Sequence, residues 1–220
     1  MMTRQMQFPK GWPRIYPILD SSFIPATGRA EFLHKLGSDL AEAGVALLEY
    51  RNKAGGEAEL LADAEILRRS MPAGQVKLIL DDRADLVENI GFDGVHVDAG
   101  DVSPAEARKL LGPDRIIGTF GGGAALVPGI LQTPADYFSI GVVYPTRTKK
   151  VTAPPIGIEG VRHLREQAGP GPVLVAIGGI TPPRAAAVLA AGATVLAVAG
   201  GLFRQPDPAA EFRKWMAELK

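Results

Sequence analysis

Cations and hydroxyls follow two of the short apolar runs in this sequence, where each run gives way to a loop. Arg51 and Lys53 are separated by one residue, so on an extended strand both side chains face the same way. Thr146, Arg147, Thr148 and Lys149 form a second group, a few residues after another run. With Lys149 across a cavity mouth from Arg51 and Lys53, three cations would suit a diphosphate. A solvated edge with surface salt bridges is the alternative.

Carboxylates stand at the equivalent positions after two further runs. Asp81 and Asp82 end one run, and Asp98 and Asp101 follow the next. Oxygen ligands on separate loops suit Mg²⁺, which usually takes one or two carboxylates together with substrate phosphates. Asp82 and Asp101 are therefore candidate metal ligands. Helix capping is the competing interpretation, because Asp82 precedes a helical pattern and Asp101 comes just before Ser103.

Two glycine turns complete the candidate site. Gly178 and Gly179 follow the run VLVAI, and Gly200 and Gly201 follow the run VLAVA. A glycine turn that opens a helix lets backbone N–H groups approach a phosphate. Plain turn geometry would explain one such pair as well, since glycine is common wherever φ is positive. Two pairs after neighbouring strands favour phosphate binding.

The elements that must position these residues alternate between strand and helix along the whole chain. Strands are predicted at 15–19, 47–51, 77–80, 94–97, 115–119, 137–141, 173–177 and 195–198. Helices are predicted at 29–43, 57–69, 84–90, 104–111, 158–167, 183–191 and 208–219, with a weak one near 124–131.

The strand cores are apolar without strict alternation, which is typical of parallel strands buried on both faces. Eight units of this kind predict an α/β fold, a (β/α)8 TIM barrel occupying 15–220 as a single domain after an N-terminal arm at 1–14. An open doubly wound sheet is the competing topology, although no G-x-G-x-x-G follows the first strand. The carboxyl ends of barrel strands lie on one face, so the candidate residues should meet there.

Composition excludes several classes of function. The 24 Lys and Arg residues balance the 24 Asp and Glu residues, which argues against a nucleic-acid partner. There is no cysteine, which excludes disulfides and thiolate chemistry. No apolar run approaches the length of a membrane span, and no apolar segment follows the cations at the start of the sequence as in a signal peptide, so no membrane partner and a cytoplasmic location are expected. A homo-oligomer is compatible with the sequence, although no exposed apolar stripe marks an interface.

At this point the pattern resembles the thiamine phosphate synthase family, which also includes thiazole tautomerase-like relatives. The resemblance covers nearly all of the chain beyond the first dozen residues. It is carried by EYRNK at 49–53, DDRAD at 81–85, the stretch 91–118, YPTRTKK at 144–150 and AIGGITP at 176–182. The resemblance implies the barrel fold and a Mg²⁺-dependent transferase that joins hydroxymethylpyrimidine diphosphate to thiazole phosphate with release of diphosphate.

The resemblance also implies roles for individual residues. Arg51, Lys53 and Lys149 would be the catalytic cations at the diphosphate. Asp82 and Asp101 would hold Mg²⁺. The remaining pyrimidine diphosphate contacts would be Glu49, Asp81 and Phe120, and the thiazole phosphate contacts would be Thr146, Arg147, Thr148, Gly178, Gly179, Gly200 and Gly201. Little acid–base catalysis is implied, and His96 is the only histidine placed within a strand.

Four positions depart from the family pattern. Glu49 replaces a Gln, Asp81 replaces an Asn, and Phe120 and Gly200 each replace a Ser. Three hypotheses follow: an active synthase; a tautomerase-like relative that moves a proton and needs a positioned base; and a non-catalytic or repurposed binder of phosphorylated ligands. Retention of Asp82, Asp101 and the YPTRTKK motif favours the synthase.

Overall fold

Eight short strands alternate with helices in the computed structural model, which describes residues 8, 11–146 and 152–219. The strands are β1 Ile15–Asp20, β2 Leu47–Arg51, β3 Lys77–Asp81, β4 Gly94–Val97, β5 Ile116–Gly122, β6 Tyr137–Gly141, β7 Leu174–Ile177 and β8 Val195–Val198. Each strand pairs in parallel with the next in chain order, and β8 pairs with β1. The predicted (β/α)8 barrel is confirmed, and the open sheet is excluded because the strands close on themselves.

The period-two alternation of each strand divides the apolar residues between two cores. Inward-facing side chains form the cluster inside the barrel, and the other set packs beneath the surrounding helices. Glycine at one inward position makes room for a ring, since a Cβ at Gly118 would overlap the ring of Tyr137. The inner cluster contains Tyr16, Ile18, Leu47, Ile79, Ile116, Tyr137, Val175, Val195 and Ala197. It fills the lower part of the barrel and supports the polar residues above it.

Helices connect the strands around the outside of the barrel. They are α1 Arg29–Glu42, α2 Glu57–Ser70, α3 Val87–Ile90, α4 Pro104–Leu111, α5 Gly157–Ala168, α6 Pro182–Ala190, α7 Gly200–Phe203 and α8 Pro208–Glu218. The start of α4 follows its sequence signal, because Ser103 and Glu106 form a reciprocal capping box ahead of Pro104.

The weak helix predicted near 124–131 is absent, and this prediction was wrong. The segment between β5 and β6 contains only a 3-10 turn, Ile130–Gln132. Leu126 instead makes an antiparallel bridge to Gly122, and Gly129 adopts a positive φ of 74°, which ends any helical run before the turn. The fifth connection of the barrel is thus a loop.

Part of the N-terminal arm packs against the barrel. The rings of Phe8 and Trp12 lie 4.9 Å apart, and Trp12 meets Tyr137 edge-on at 5.7 Å. The division into an arm at 1–14 and a barrel domain at 15–220 stays a prediction. None of the helices in the described part of the chain is long and apolar enough to cross a membrane.

Candidate active site

A cavity of about 1060 Å³ opens where the strands end. Its walls include residues at or just beyond the carboxyl end of every strand, and its floor reaches the tyrosines of the inner cluster. Asp20, Arg51, Asp98, Phe120 and Gly178 mark this rim. Most of the described candidate residues line this cavity, whereas Lys53, Asp82 and Asp101 are not among its lining residues.

The predicted cations after β2 sit among carboxylates. Arg51 pairs with Asp20 through Nη1, and its Nε lies 3.3 Å from Asp81 Oδ2. Lys53 pairs with Asp82, and its Nζ lies 3.1 Å from the same Asp81 oxygen. Asp81 therefore stands between the two cations. The three carboxylates outnumber the two cations, so an anion that binds here must draw the cations away from these carboxylates.

Asp20, at the end of β1, is a member of this cluster that the sequence analysis missed. Burial acts to raise its pKa, but hydrogen bonds from Ser22 and the pairing with Arg51 outweigh this effect and lower the pKa of Asp20. Its ionised carboxylate holds the Arg51 guanidinium at the mouth of the cavity. The sequence pattern could have indicated this position, because Tyr16, Ile18 and Asp20 alternate on one face of β1 and Asp20 is its last residue.

The two predicted metal ligands differ in their surroundings. Asp82 adopts a positive φ of 66°, unusual for a residue with a side chain, and its buried Oδ1 has no hydrogen-bond partner. Asp101 is exposed, and its Oδ2 accepts the backbone N–H of Asp98 at 2.8 Å. No group of three or more acidic or histidine residues among the described residues could hold a metal ion alone. An unpartnered buried carboxylate oxygen suits a cation that receives its other ligands from substrate and water.

The floor of the cavity carries a chain of buried polar groups. Tyr16 donates its hydroxyl hydrogen to Glu49 Oε2 at 2.8 Å, and the hydroxyls of Tyr16 and Tyr137 lie 3.0 Å apart. Tyr137 Oη lies 3.0 Å from His96 Nδ1, and His96 Nε2 lies 3.4 Å from Asp98 Oδ1. Because each tyrosine has one hydrogen to donate, Tyr137 must donate to Tyr16 and His96 must donate to Tyr137.

The buried polar groups on the cavity floor shift the pKa values of Glu49 and His96. Burial, helped by the charges of Asp81 and Asp98, raises the pKa of Glu49 to about 7, although His96 and the Tyr16 hydroxyl act against the rise. Burial alone would lower the pKa of His96. The hydrogen bond to Asp98 and the charge of Glu49 outweigh burial, so the pKa of His96 is raised. Glu49 can therefore change charge near neutral pH, and His96 keeps its proton to a higher pH than an ordinary imidazole does.

The glycine turn after β7 owes its composition to close packing. Gly178 and Gly179 have positive φ values of 104° and 61°. A Cβ on Gly178 would strike Val142, and one on Gly179 would strike Tyr144 and the Pro145 carbonyl. Glycine is thus required for the loop after β6 to lie against this turn, whatever the turn binds.

Five of the seven predicted thiazole phosphate contacts line the cavity: Thr146, Gly178, Gly179, Gly200 and Gly201. Gly200 and Gly201 open the four-residue helix α7, which the sequence analysis did not predict. Arg147, Thr148 and Lys149 lie outside the described residues, so their predicted contacts stay predictions.

A hydroxyl from a neighbouring strand stands beside Phe120. Phe120 faces the cavity with 38% of its surface exposed, and its register partner on β6 is Ser139. Ser139 also lines the cavity. A serine hydroxyl therefore lines the cavity on the strand next to Phe120. Alternation on β6 could have indicated this, because Tyr137, Ser139 and Gly141 share the inward face.

The sequence analysis also missed two arginines at the rim. Arg184, in the first turn of α6, and Arg204, directly after α7, both line the cavity. Neither stands in a recognisable motif, because each belongs to a helix rather than to the strand end that precedes it. Their position becomes visible only once the helices are docked on the barrel.

Comparison with known proteins adds to this geometry. The family model described as thiamine monophosphate synthase matches residues 15–202. A thiamine-phosphate synthase of Koribacter versatilis is 38% identical over 202 residues, covering 91% of this chain and 94% of that protein. One of Agrobacterium fabrum is 37% identical over 175 residues, covering 78% and 80%. The solved structure of a thiamine phosphate pyrophosphorylase from Pyrococcus furiosus has a TM-score of 0.75 at 24% identity, covering 94% of this chain and 95% of that one. The chain belongs to the thiamine monophosphate synthase family.

Proposed function

We propose that the protein is a thiamine phosphate synthase, a transferase that joins hydroxymethylpyrimidine diphosphate to thiazole phosphate. One observation carries the proposal beyond family membership. A single cavity is lined on one side by Arg51 and Asp81, at the ends of β2 and β3, and on another side by the glycine turns after β7 and β8. Lys53 pairs with the same Asp81. Two phosphorylated substrates can thus bind with their rings meeting between these two sides.

The reaction is a substitution at the methylene carbon of the pyrimidine. The carbon–oxygen bond to diphosphate breaks, diphosphate leaves with the electron pair, and a pyrimidinyl-methyl cation remains. The thiazole nitrogen donates its lone pair to this carbon, and the new carbon–nitrogen bond gives thiamine phosphate. The protein supplies positioning, exclusion of water and neutralisation of the leaving group.

Arg51 and Lys53 are suited to that neutralisation. Without substrate they pair with Asp20, Asp81 and Asp82. A diphosphate carries more negative charge than any one of these carboxylates and can take over the N–H donors of both side chains. Lys149, from the loop after β6, completes the proposed set of cations.

Asp82 and Asp101 would hold Mg²⁺ together with the diphosphate. Once Lys53 turns to the diphosphate, Asp82 loses its ion-pair partner while its Oδ1 already lacks one. A cation bound there would satisfy both oxygens. When bound, Mg²⁺ supplies further positive charge to the diphosphate oxygens.

Glu49 suits recognition of the pyrimidine in its neutral form. A pKa of about 7 keeps much of the side chain protonated at neutral pH. Because Oε2 accepts from Tyr16, a proton on Oε1 is available to a ring nitrogen of the substrate, and the carboxyl can also accept from the neighbouring amino group. A neutral carboxyl offers the same donor and acceptor pair as an amide, which accounts for Glu at a position where the family has Gln.

The thiazole phosphate would bind on the other side of the cavity. Thr146 lines the cavity together with Gly178, Gly179, Gly200 and Gly201. Arg147 and Thr148, which follow Thr146 in the sequence, are expected to add to these contacts. Hydroxyls and backbone N–H groups of this kind are ordinary phosphate donors.

We also propose a cytoplasmic location for the enzyme, where its small phosphorylated substrates would be made.

Incubation of the purified protein with both substrates and Mg²⁺ tests the proposal. We expect thiamine phosphate and diphosphate as products, and neither product when one substrate is left out. Absence of product with thiazole phosphate still bound would favour a repurposed binder. Isomerisation of a thiazole substrate without release of diphosphate would favour a tautomerase-like enzyme.

A further inference from the structure

The charges that line the cavity are divided between its two sides. The lining carboxylates come from β1 to β4, and they are Asp20, Glu49, Asp81 and Asp98. The side formed by β7, β8 and the helices that follow them contributes Arg184 and Arg204. Within the described residues, neither guanidinium forms an ion pair with a carboxylate. Two cations therefore face the cavity with no carboxylate partner among the residues that the structure describes.

Arg184 is fixed beside the glycine turn that follows β7. Its guanidinium carbon lies 4.4 Å from the centre of the Tyr144 ring. Tyr144 is itself held at this turn, because its N–H donates to the Gly178 carbonyl at 2.9 Å and its backbone packs closely on Gly179. Stacking on a ring leaves the N–H groups at the edge of a guanidinium available to a ligand.

Arg204 also lines the cavity and is held by a different ring. It directly follows α7, and its guanidinium carbon lies 5.5 Å from the centre of the Phe23 ring. Phe23 stacks on Phe203 at 6.1 Å, so the ring that supports Arg204 is anchored to α7. Arg204 is thus held at the end of the short helix that begins at Gly200.

We propose that Arg184 and Arg204 bind the phosphate group of the thiazole substrate and make the site selective for the phosphorylated thiazole. The inference rests on the proposed function, which places that substrate at these turns. Guanidinium groups match phosphate oxygens with pairs of N–H donors. The guanidinium groups of Arg184 and Arg204 are not paired with a carboxylate of the described residues, so their positive charge is available to a phosphate. The arginines also account for Gly200, because cationic donors replace the serine hydroxyl that is missing there.

Calorimetric binding of two ligands tests this inference without any need for turnover. The ligands are thiazole phosphate and the same thiazole alcohol without phosphate. The variants are Arg184→Ala, Arg204→Ala and Arg184→Lys, with Arg162→Ala as a matched control. Arg162 is an exposed arginine on α5 that pairs with Glu159, so its loss changes the net charge equally.

We expect each alanine variant to weaken thiazole phosphate binding about tenfold or more, as loss of a charged hydrogen bond does. Binding of the thiazole alcohol should not change, Arg184→Lys should recover part of the loss, and Arg162→Ala should bind like the wild type. Unchanged affinity for thiazole phosphate in both alanine variants would overturn the inference. Equal losses for both ligands would also overturn it, because they would mark a purely structural role.

Product formation by the wild type is measured in parallel and separates the two proposals. Phosphate-dependent binding without product would refute the synthase but keep the arginine assignment. Product formation by the wild type with unaltered binding in the variants would support the synthase but refute the arginine assignment. A wild-type protein that binds neither ligand would overturn the assignment as well.

Discussion

Replacement of Glu49 by Gln should stabilise the protein at alkaline pH and leave it unchanged in acid. The side chain is only 4% exposed, and its Oε2 accepts a hydrogen bond from Tyr16. Gln keeps the size and an acceptor oxygen for that bond while it removes the titrating group. The comparison therefore measures the free energy of ionising a carboxyl at this place, together with the accompanying change at His96.

The magnitude follows from the pKa. Burial raises the pKa of Glu49 from 4.5 to about 7, and such a difference corresponds to about 3 kcal/mol. Below pH 4.5 the carboxyl is protonated in both states and costs nothing. Between pH 4.5 and 7 the unfolded chain loses the proton while the native state keeps it, so wild-type stability falls as pH rises. Above about pH 7 the native carboxyl ionises and the loss is complete.

Urea unfolding of both proteins at pH 4, 6 and 8 measures this difference. We expect the free energy of unfolding of Glu49→Gln to exceed that of the wild type by roughly 3 kcal/mol at pH 8, by less at pH 6 and by nothing at pH 4. Glu88→Gln is the control, because the pKa of exposed Glu88 is shifted in the opposite direction: pairing with Arg115 lowers it. Removal of this carboxylate should not increase the free energy of unfolding at pH 8. A difference that does not depend on pH, or a variant less stable at pH 8, would refute the reasoning.

Three further predictions follow from the same contacts. In Glu49→Gln the pKa of His96 should fall, since the charge of Glu49 helps to raise it, and an NMR titration of the imidazole that found no change would contradict the coupling. Gly179→Ala should lower the free energy of unfolding by about 1–3 kcal/mol, and with it the melting temperature, because φ is 61° and the Pro145 carbonyl blocks a Cβ. Gly171→Ala, which has open space, should not, and equal melting temperatures for the two variants would count against this account of the turn. Lys53→Ala should reduce turnover about tenfold to a hundredfold through loss of a charged contact to the diphosphate, whereas Lys35→Ala, a surface cation paired with Asp39, should not. Wild-type turnover in Lys53→Ala would exclude the assigned role.

Local sequence signals were sufficient for the barrel. Buried strands such as VLAVA are short and apolar on both faces, and helices such as α4 begin at a recognisable cap, so their limits were predicted to within a few residues. The prediction failed between β5 and β6, where apolar residues suggested a helix. There a bridge from Gly122 to Leu126 and the positive φ of Gly129 impose a loop, and neither can be seen in the apolar pattern.

The site was predictable only where residues belong to strand ends. Arg51, Lys53, Asp81 and Asp82 meet as expected, because parallel strands bring consecutive ends to one rim. The polar chain on the floor could not be predicted in the same way. Tyr16 and Tyr137 are 121 residues apart in sequence, and their hydroxyls meet only because the barrel closes between β8 and β1.

A single-turnover experiment tests the central claim most directly. Enzyme in excess over pyrimidine diphosphate is mixed with thiazole phosphate and Mg²⁺, and both products are quantified in quenched samples. We expect thiamine phosphate and diphosphate to form at the same rate and in equal amounts. Release of diphosphate without thiamine phosphate, or no release while both substrates are bound, would contradict it.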